Sequence, residues 1–477
     1  MTFLPVLLWS DLLIWLLVLA AIVLVRLSLR NPPLRAAWRR VGRSRPGMAA
    51  ATVLIVFLVV GLLDSVHYRP RLESRENSKE APVVYAIEVL SLLDVLASPL
   101  RLRNEKTYSE PLATHAYAKE AIEVTDADGS IRQHRDFPRL KFGGAHLAGD
   151  VAQREADIAR RVLVAAASAL ALWAAAVLAC TAFLARRSGR SLPAAWRALI
   201  GGETDFAWCA VLGALGALLL VLLPIAALAG DYHVFGTDKV GQDVLYQILK
   251  SVRTALVIGL VTTLVTLPLA IFLGLLAGYF RGWVDDLIQY LYTTLSSIPG
   301  VLLIAAAVLM MQVVIDTHPQ WFETAAERAD LRLLALCLIL GMTSWTGLCR
   351  LLRGETLKLR ELEYIQAAQA FGVSDLRIIG RHILPNLMHI VIIALVMDFS
   401  SLVLAEAVLS YVGIGVDPTM ISFGTMINNA RMELAREPMV WWSLAAAFVF
   451  MFALVLAANL LADAVRDAFD PRLAGAA

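Results

Sequence analysis

Two carboxylates stand where a hydrocarbon interior is expected: Asp398 and Glu406, in or just past the apolar run 387–404. A charged carboxylate in lipid is costly, so both must face protein or water. Eight residues is about two helical turns, which puts them on roughly one face of a helix. Asp398 is then a candidate to line a path for a polar solute. Glu406 either shares that path or sits at the outer interface and fixes the turn at 412–415. No other grouping has the pattern of a reacting centre. Ser, His and Asp residues are scattered with no base–nucleophile pairing, and His382 reads as a polar loop residue near the headgroups. Cys180, Cys209, Cys337 and Cys349 lie in or at the ends of apolar runs, without a Cys or His at metal-ligand spacing. They read as small hydrophobes, and neither catalysis nor metal binding is expected.

The element that must position these carboxylates is a membrane-spanning helix. Of 477 residues, 59% are hydrophobic and 17% charged, with a mean hydropathy of +0.68; soluble domains average about 25% charge. Runs of about 20 apolar residues match a hydrocarbon core about 30 Å thick. Nine can be placed, at 4–25, 47–63, 162–185, 206–229, 255–277, 288–314, 333–348, 387–404 and 440–461, giving an all-α polytopic membrane protein. Gly274 and Gly278 form a small-xxx-small pair suited to helix packing. The first run begins almost at Met1 and its arginines follow it, the reverse of a secretory signal.

Loop charges orient the spans. Arg26, Arg30, Arg35, Arg39, Arg40, Arg43 and Arg45 lie between the first two with no acidic residue, Arg186, Arg187, Arg190 and Arg197 follow the third, and 350–386 is rich in Arg and Lys. The loop 316–332 is net acidic. Basic loops stay cytoplasmic, so nine spans place the N-terminus outside and the C-terminus in the cytoplasm of a bacterial inner-membrane protein.

Four regions follow. Residues 1–63 hold two spans and a basic loop, 64–161 a polar external insertion, 162–230 two further spans, and 231–477 a five-helix core. In the insertion, 121–132 reads as a hairpin around Asp128-Gly129, 83–96 as a surface helix with Leu90, Leu93 and Leu96 on one stripe, and 149–161 as helical. Arg132, Arg135, Arg139 and Lys141 form its densest basic cluster, suited to steering an acidic partner surface. The insertion has no cysteine and is small for an independent domain. It is expected to lean on 231–250 and 316–332.

The loop 350–386 is far longer than an ordinary connection between spans. Glu361–Phe371 reads as a short helix stopped at Gly372, Ser374 caps a second helix, and Pro385 ends the connection before the chain re-enters the membrane. This loop resembles the "EAA" signature of ABC importer permeases, and more closely the C-type permease of the binding-protein-dependent dipeptide/oligopeptide/nickel transport family. The signature falls on Gln366-Ala367-Ala368, Gly372 and Leu384-Pro385, with Gln366 in place of glutamate and Glu361 and Glu363 close by. The segments 235–243, 275–285, 297–299, 404–415 and 463–471 resemble the same family in order.

The resemblance implies a translocation subunit that is not itself an enzyme. Its expected partners are the lipid bilayer, a second permease subunit, two ATPase subunits carrying ATP and Mg, and an extracytoplasmic solute-binding protein. No nucleic acid and no cofactor bound by this chain are expected. It implies that the ATPase docks on Glu361, Glu363, Tyr364, Gln366, Ala367, Ala368, Phe371 and Gly372, with Leu384 and Pro385 behind them. The sequence has no Gly-x-x-x-x-Gly-Lys-Ser/Thr phosphate loop, which agrees with hydrolysis elsewhere. Short peptides are the default solute. The alternative is a membrane scaffold or enzyme whose external domain does the work. Cysteines introduced at Ser130 and Ser188 are predicted to label from opposite faces of the membrane; labelling of both from one face would refute the nine-span topology.

Overall fold

Lipid offers no hydrogen bonds, so a chain this apolar must satisfy its backbone within helices. The computed structural model describes residues 3–30, 32–71, 85–125, 131–147, 151–322 and 324–469. In chain order it runs β1 (Phe3–Val6), α1 (Trp9–Arg30), α2 (Pro32–Arg43), α3 (Arg45–Asp64), β2 (His67–Pro70), β3 (Leu90–Ser91), α4 (Leu92–Leu96) and α5 (Ser98–Leu102). A hairpin of β4 (Glu120–Thr125) and β5 (Ile131–Asp136) precedes α6 (Arg154–Ser188), α7 (Leu192–Gly201) and α8 (Trp208–Ala229). Then come α9 (Val244–Phe280), α10 (Gly282–Ser297), α11 (Gly300–Thr317), α12 (Ala325–Ser344), α13 (Thr346–Arg360), α14 (Glu363–Ala370), α15 (Asp375–Ile378), α16 (Leu384–Val412), α17 (Phe423–Glu433) and α18 (Trp442–Phe469).

Among the described residues, eight helical stretches are long and apolar enough to cross a membrane, and Trp9–Val23 of α1 is a shorter apolar stretch at the place of the first expected span. At the centre stands α9, which contributes to the three largest hydrophobic clusters. Against it pack α16, α17 and α18 on one side, α1, α11 and α12 on another, and α10, α13 and α14 toward its C-terminal end. Outside this core, α6 and α8 pair through Trp173, whose Nε1 donates to Leu212 O at 2.8 Å. Gly216 admits the indole, since a Cβ there would lie 2.6 Å from Nε1.

Antiparallel pairing of β1 with β2 brings residues 3–6 to the end of the bundle that carries the insertion. Phe469 packs at the opposite end, edge-on against Trp38 of α2. The two described ends of the chain thus lie at opposite ends of the bundle.

One buried charge ties the leading helix to the core. Arg253 of α9 is 6% exposed; its Nη2 donates to Asp11 Oδ1 and to Ser10 Oγ, both at 2.7 Å. Asp11 also meets His67 Nδ1 at 2.7 Å, and Ser10 N donates to Asp330 of α12 at 3.1 Å. Three helices and β2 therefore share one ionic knot.

Several sequence expectations need correction. The first span does not begin at residue 4, because residues 3–6 pair as a strand. The run 288–314 is two helices broken at Ile298-Pro299, where Ile298 is extended and proline has no N–H to continue the ladder. The first of these, α10, buries Asp285, Ile288 and Tyr292 and exposes Trp283, Leu287 and Tyr290. In the insertion, Ser91 and Asp94 form a reciprocal cap, so the helix expected over 83–96 starts only at Leu92; Leu93 is buried while Leu96 is 63% exposed. Residues 83–84, the 126–130 turn and 149–150 lie outside the described residues. The hairpin is present, with Ala121 opposite Arg135 and Val124 opposite Arg132. Pro385 does not end a connection: α15 passes through a π turn at Ile379–Ile383 into α16, and Pro385 stands just past that turn within a continuous helical stretch, Asp375–Val412.

Asp11→Ala is predicted to destabilise the protein by about 3–5 kcal/mol, because it strands a buried guanidinium. Asp11→Leu combined with Arg253→Met should cost less than either change alone. Thermal melts of the purified chain in detergent decide this; additive single and double variants would count against the knot.

Candidate coupling loop and outer clasp

The loop expected to meet a partner hangs from α9. The axes of α9 and α13 approach closely because Gly274 and Gly278 lack side chains: a Cβ on Gly274 would lie 2.9 Å from Cys349 O, and one on Gly278 2.5 Å from Thr356 Cβ. Beyond this crossing, Arg353 of α13 grips Asp285 of α10 bidentately at 2.5 and 2.7 Å. The loop helix α14 is pinned by Ile365, fully buried beside Tyr279, Ile378 and Ile383. Tyr279 Oη donates to Asp375 at 2.7 Å and accepts from Gln369 Nε2 at 3.0 Å. Arg281 pairs with Glu361, Gln366 Nε2 donates to Glu361 O at 3.2 Å, and Asn386 Nδ2 donates to Tyr364 Oη at 3.0 Å.

What this framework presents outward is apolar. Phe371 is 87% exposed and Leu376 78%, with Tyr364 and Leu362 also exposed. Between them Gly372 turns the chain at φ +75°, a conformation that side chains resist, with open space where a Cβ would be. Glu363, Gln366 and Ala367 are exposed along α14, and Ala368 is half-buried. Leu384 and Pro385 stand behind this surface at the start of α16. The structure thus gathers the residues picked out by sequence into one projecting knob. Sequence reasoning missed Leu376 and the anchors Tyr279, Gln369 and Asp375; Tyr279 lies in the 275–285 segment already singled out.

At the other end, the insertion is clasped to the segment that leads into α9. Glu105 accepts from the backbone of Lys141 at 2.8 Å, Phe142 at 2.7 Å and Gly143 at 3.1 Å. It faces His233 Nε2 at 3.4 Å, and His233 Nδ1 meets Asp243 at 2.7 Å. Asp243 in turn caps α9 through Leu245 N at 2.8 Å. Burial alone would raise the Glu105 carboxyl, but His233 and the three amides outweigh it and bring it down to about 2. Burial would likewise lower His233, but its two carboxylate partners lift it to about 9. Glu105 N also donates to Gly241 O at 2.9 Å. Any side chain at Gly241 would collide with Glu105 O, 1.9 Å from the Cβ position. Lys250 reaches Asp64 at 2.6 Å and Asp94 at 3.2 Å. The insertion therefore leans on 231–250 as expected. The loop 316–332 instead meets α1 and residue 417, through Asp330 and Arg332.

The two intramembrane carboxylates have different surroundings. Glu406 is 2% exposed and accepts from Ser410 Oγ at 2.6 Å and Ser422 Oγ at 2.9 Å. Ser422 caps α17, so Glu406 joins α16 to α17 in the chain's own interior. Asp398 is half-buried, and its carboxylate has no hydrogen-bond partner among the described residues. The external basic cluster also divides. Arg135 lines an open cleft of about 930 Å³ with Lys119, Arg154, Tyr117 and Glu437. Arg139 and Lys141 line a separate, smaller one, where Arg139 donates to Gly144 O at 3.3 Å and Lys141 lies over the Phe142 ring. Arg132 lies on β5, and its side chain is outside the described residues.

The profile of a family described as binding-protein-dependent transport system inner membrane component matches residues 270–475. A glutathione transport system permease protein, GsiD, of Pectobacterium atrosepticum is 35% identical over 243 residues, 50% of this chain and 73% of that protein. The oligopeptide transport system permease protein OppC of Mycobacterium tuberculosis is 33% identical over 242 residues, covering 51% and 77%. The dipeptide transport system permease protein DppC of Bacillus subtilis is 28% identical over 241 residues, covering 50% and 69%. A solved structure titled as inward-facing conformations of the MetNI methionine ABC transporter overlaps 46% of this chain, at a TM-score of 0.34 and 15% identity.

The pH dependence of the clasp follows from its two shifted groups. The contribution of His233 is complete below its ordinary value of 6.5 and is lost as pH rises through about 9. That of Glu105 is complete above 4.5 and is lost as pH falls through about 2. Hydrogen exchange at 105–115 and 231–243, corrected for intrinsic rates, is predicted to be slowest between pH 4.5 and 6.5 and to quicken on either side, toward about 2 and about 9. Glu105→Gln should abolish the acid flank, and protection unchanged from about pH 2 to about pH 9 would show that the clasp is not ionic.

Proposed function

We infer that this chain, which belongs to the family of binding-protein-dependent transport system inner membrane components, is the membrane-spanning permease subunit of an ATP-driven importer of short peptides. The observation that carries the reading is the knob at Phe371–Leu376, exposed, apolar and wired to α9. Exposed apolar patches of this kind mark interaction sites, and an importer subunit needs a cytoplasmic contact through which ATP hydrolysis elsewhere can act. In this reading the ATPase receives Phe371 and Leu376, and the Tyr279–Asp375–Gln369 contacts transmit its movement to α9. A second permease completes the path. Asp398, whose carboxylate has no hydrogen-bond partner among the described residues, faces that path, while Glu406 holds α17 in place. The basic loops put the knob in the cytoplasm, and the insertion, with the N-terminus, outside. The insertion then serves recognition, receiving the solute-binding protein near the cleft lined by Arg135. A scaffold or enzyme built on the external domain is not favoured, because family membership already accounts for the core.

The test is co-purification and peptide uptake in reconstituted membranes. Phe371→Ala removes a central anchor, and Gly372→Val forces a branched side chain into a left-handed turn. Each is predicted to cost about 2 kcal/mol of ATPase binding, a loss of roughly thirty-fold, with binding-protein affinity unchanged when it is measured on the permease without ATPase. Glu105→Gln should show the reverse, weaker binding-protein affinity with normal ATPase assembly. Normal assembly and uptake in both loop variants would remove the loop from coupling, and an unchanged affinity in Glu105→Gln would remove the insertion from recognition.

A further inference from the structure

The family core does not account for a second cleft, at the end of the bundle opposite the insertion. There α2 lies as a short basic helix. Its Ala37 and Val41 are buried against Val465, Ala468 and Phe469 of α18, and the Trp38 ring meets Phe469 edge-on at 5.4 Å. This docking leaves Arg35 and Arg39 exposed on the side that faces the accessory helices. Across from them α6 ends at Ser188 with Arg187 in its last turn, Gly189 reverses the chain at φ +65°, and Arg190 follows. Trp208, at the start of α8, lines the same space. The cleft enclosed holds about 930 Å³.

Its lining pairs charge with apolar surface. Four guanidinium groups, from Arg35, Arg39, Arg187 and Arg190, face two carboxylates, Glu203 and Asp205. Asp205 is engaged by Arg43 at 3.2 Å, outside this lining. No carboxylate lies within ion-pair distance of Arg39, Arg187 or Arg190 among the described residues. Arginines that only set topology have no need to converge, or to share a cleft with two indoles. Leu184 and Trp208 sit where apolar helices end, the depth at which tryptophans gather beside headgroups. We propose that this cleft binds the phosphate headgroup of an anionic phospholipid, with the acyl chains running along the α6 and α8 surface. Arginine suits a phosphate because its planar fork donates two parallel hydrogen bonds. The site would anchor the accessory helices to the family core through a lipid as well as through protein contacts.

The test uses the full-length chain in the detergent-solubilised assembly in which it purifies. It is titrated separately with phosphatidylglycerol, phosphatidylcholine and inorganic phosphate, and read by native mass spectrometry and by Tm. Phosphatidylglycerol is retained and raises Tm, whereas the other two do neither. R39Q combined with R187Q weakens phosphatidylglycerol retention by about ten- to thirty-fold. R186Q, one residue from Arg187 but not on the cleft lining, leaves it unchanged. Equal retention of both lipids, an unchanged affinity in the double variant, or phosphate alone matching phosphatidylglycerol would overturn the proposal. Should the double variant fail to assemble, brominated phosphatidylglycerol decides the matter. It quenches wild-type fluorescence more than that of Trp208→Phe, and equal quenching overturns the proposal.

Discussion

A charge buried among packed helices has no solvent to fall back on, and the packing of this bundle follows from that constraint. Arg253 is held by Asp11 and Ser10 at 2.7 Å, with Asp330 bound to the same serine, so α1, α9 and α12 have little freedom to drift apart. The same helix satisfies several of its other polar groups internally or on a neighbour. Thr263 donates to Gly259 O at 2.6 Å, and Thr254 to Ile421 O at 2.8 Å. Because α9 is deeply packed over residues 244–263 and crossed by α13 beyond them, other elements can be referenced to it: the loop helices at one end and the insertion at the other.

Much of the bundle was legible because the length of an apolar run measures bilayer thickness directly. The break at Ile298-Pro299 was harder to see, since a helix that exposes Trp283 and Tyr290 on one face has nearly the hydropathy of half a span. The loop surface could be read from local signals, a helix stopped at Gly372, yet Leu376 was hidden behind its apparent role in a second helix. The polar contacts were not legible at all. Asp11 and Arg253 are 242 residues apart, and Glu105 and His233 are 128 apart, so neither pair leaves a trace in spacing. Those long-range pairs are what turn correctly placed helices into a specific structure.

The insertion has little apolar core of its own, and its attachment shows how so small a domain can hold a position. Its backbone is stitched to 231–243 by Ser109 N donating to Thr237 Oγ1 at 2.7 Å, and by Leu112 N donating to His233 O at 2.8 Å. Trp442 closes the seam with a 3.0 Å bond to Thr237 O. A stretch that resembles the family pattern thus also serves as the seat of an addition. Gly241 permits it, because the close approach of residue 105 leaves no room for a side chain.

The 37 residues of α9 span about 55 Å if straight. Its first turn is capped by the histidine-linked carboxylate Asp243, and its last turns carry the glycine crossing and Tyr279. Whatever binds at one end does so on the same rod that bears the other. If a partner at the loop and a partner at the insertion each prefer one tilt of that rod, thermodynamic reciprocity requires that each change the other's affinity by the same free energy. The two aqueous faces are then a single linked equilibrium, and affinity measured outside the membrane becomes a gauge of occupancy within.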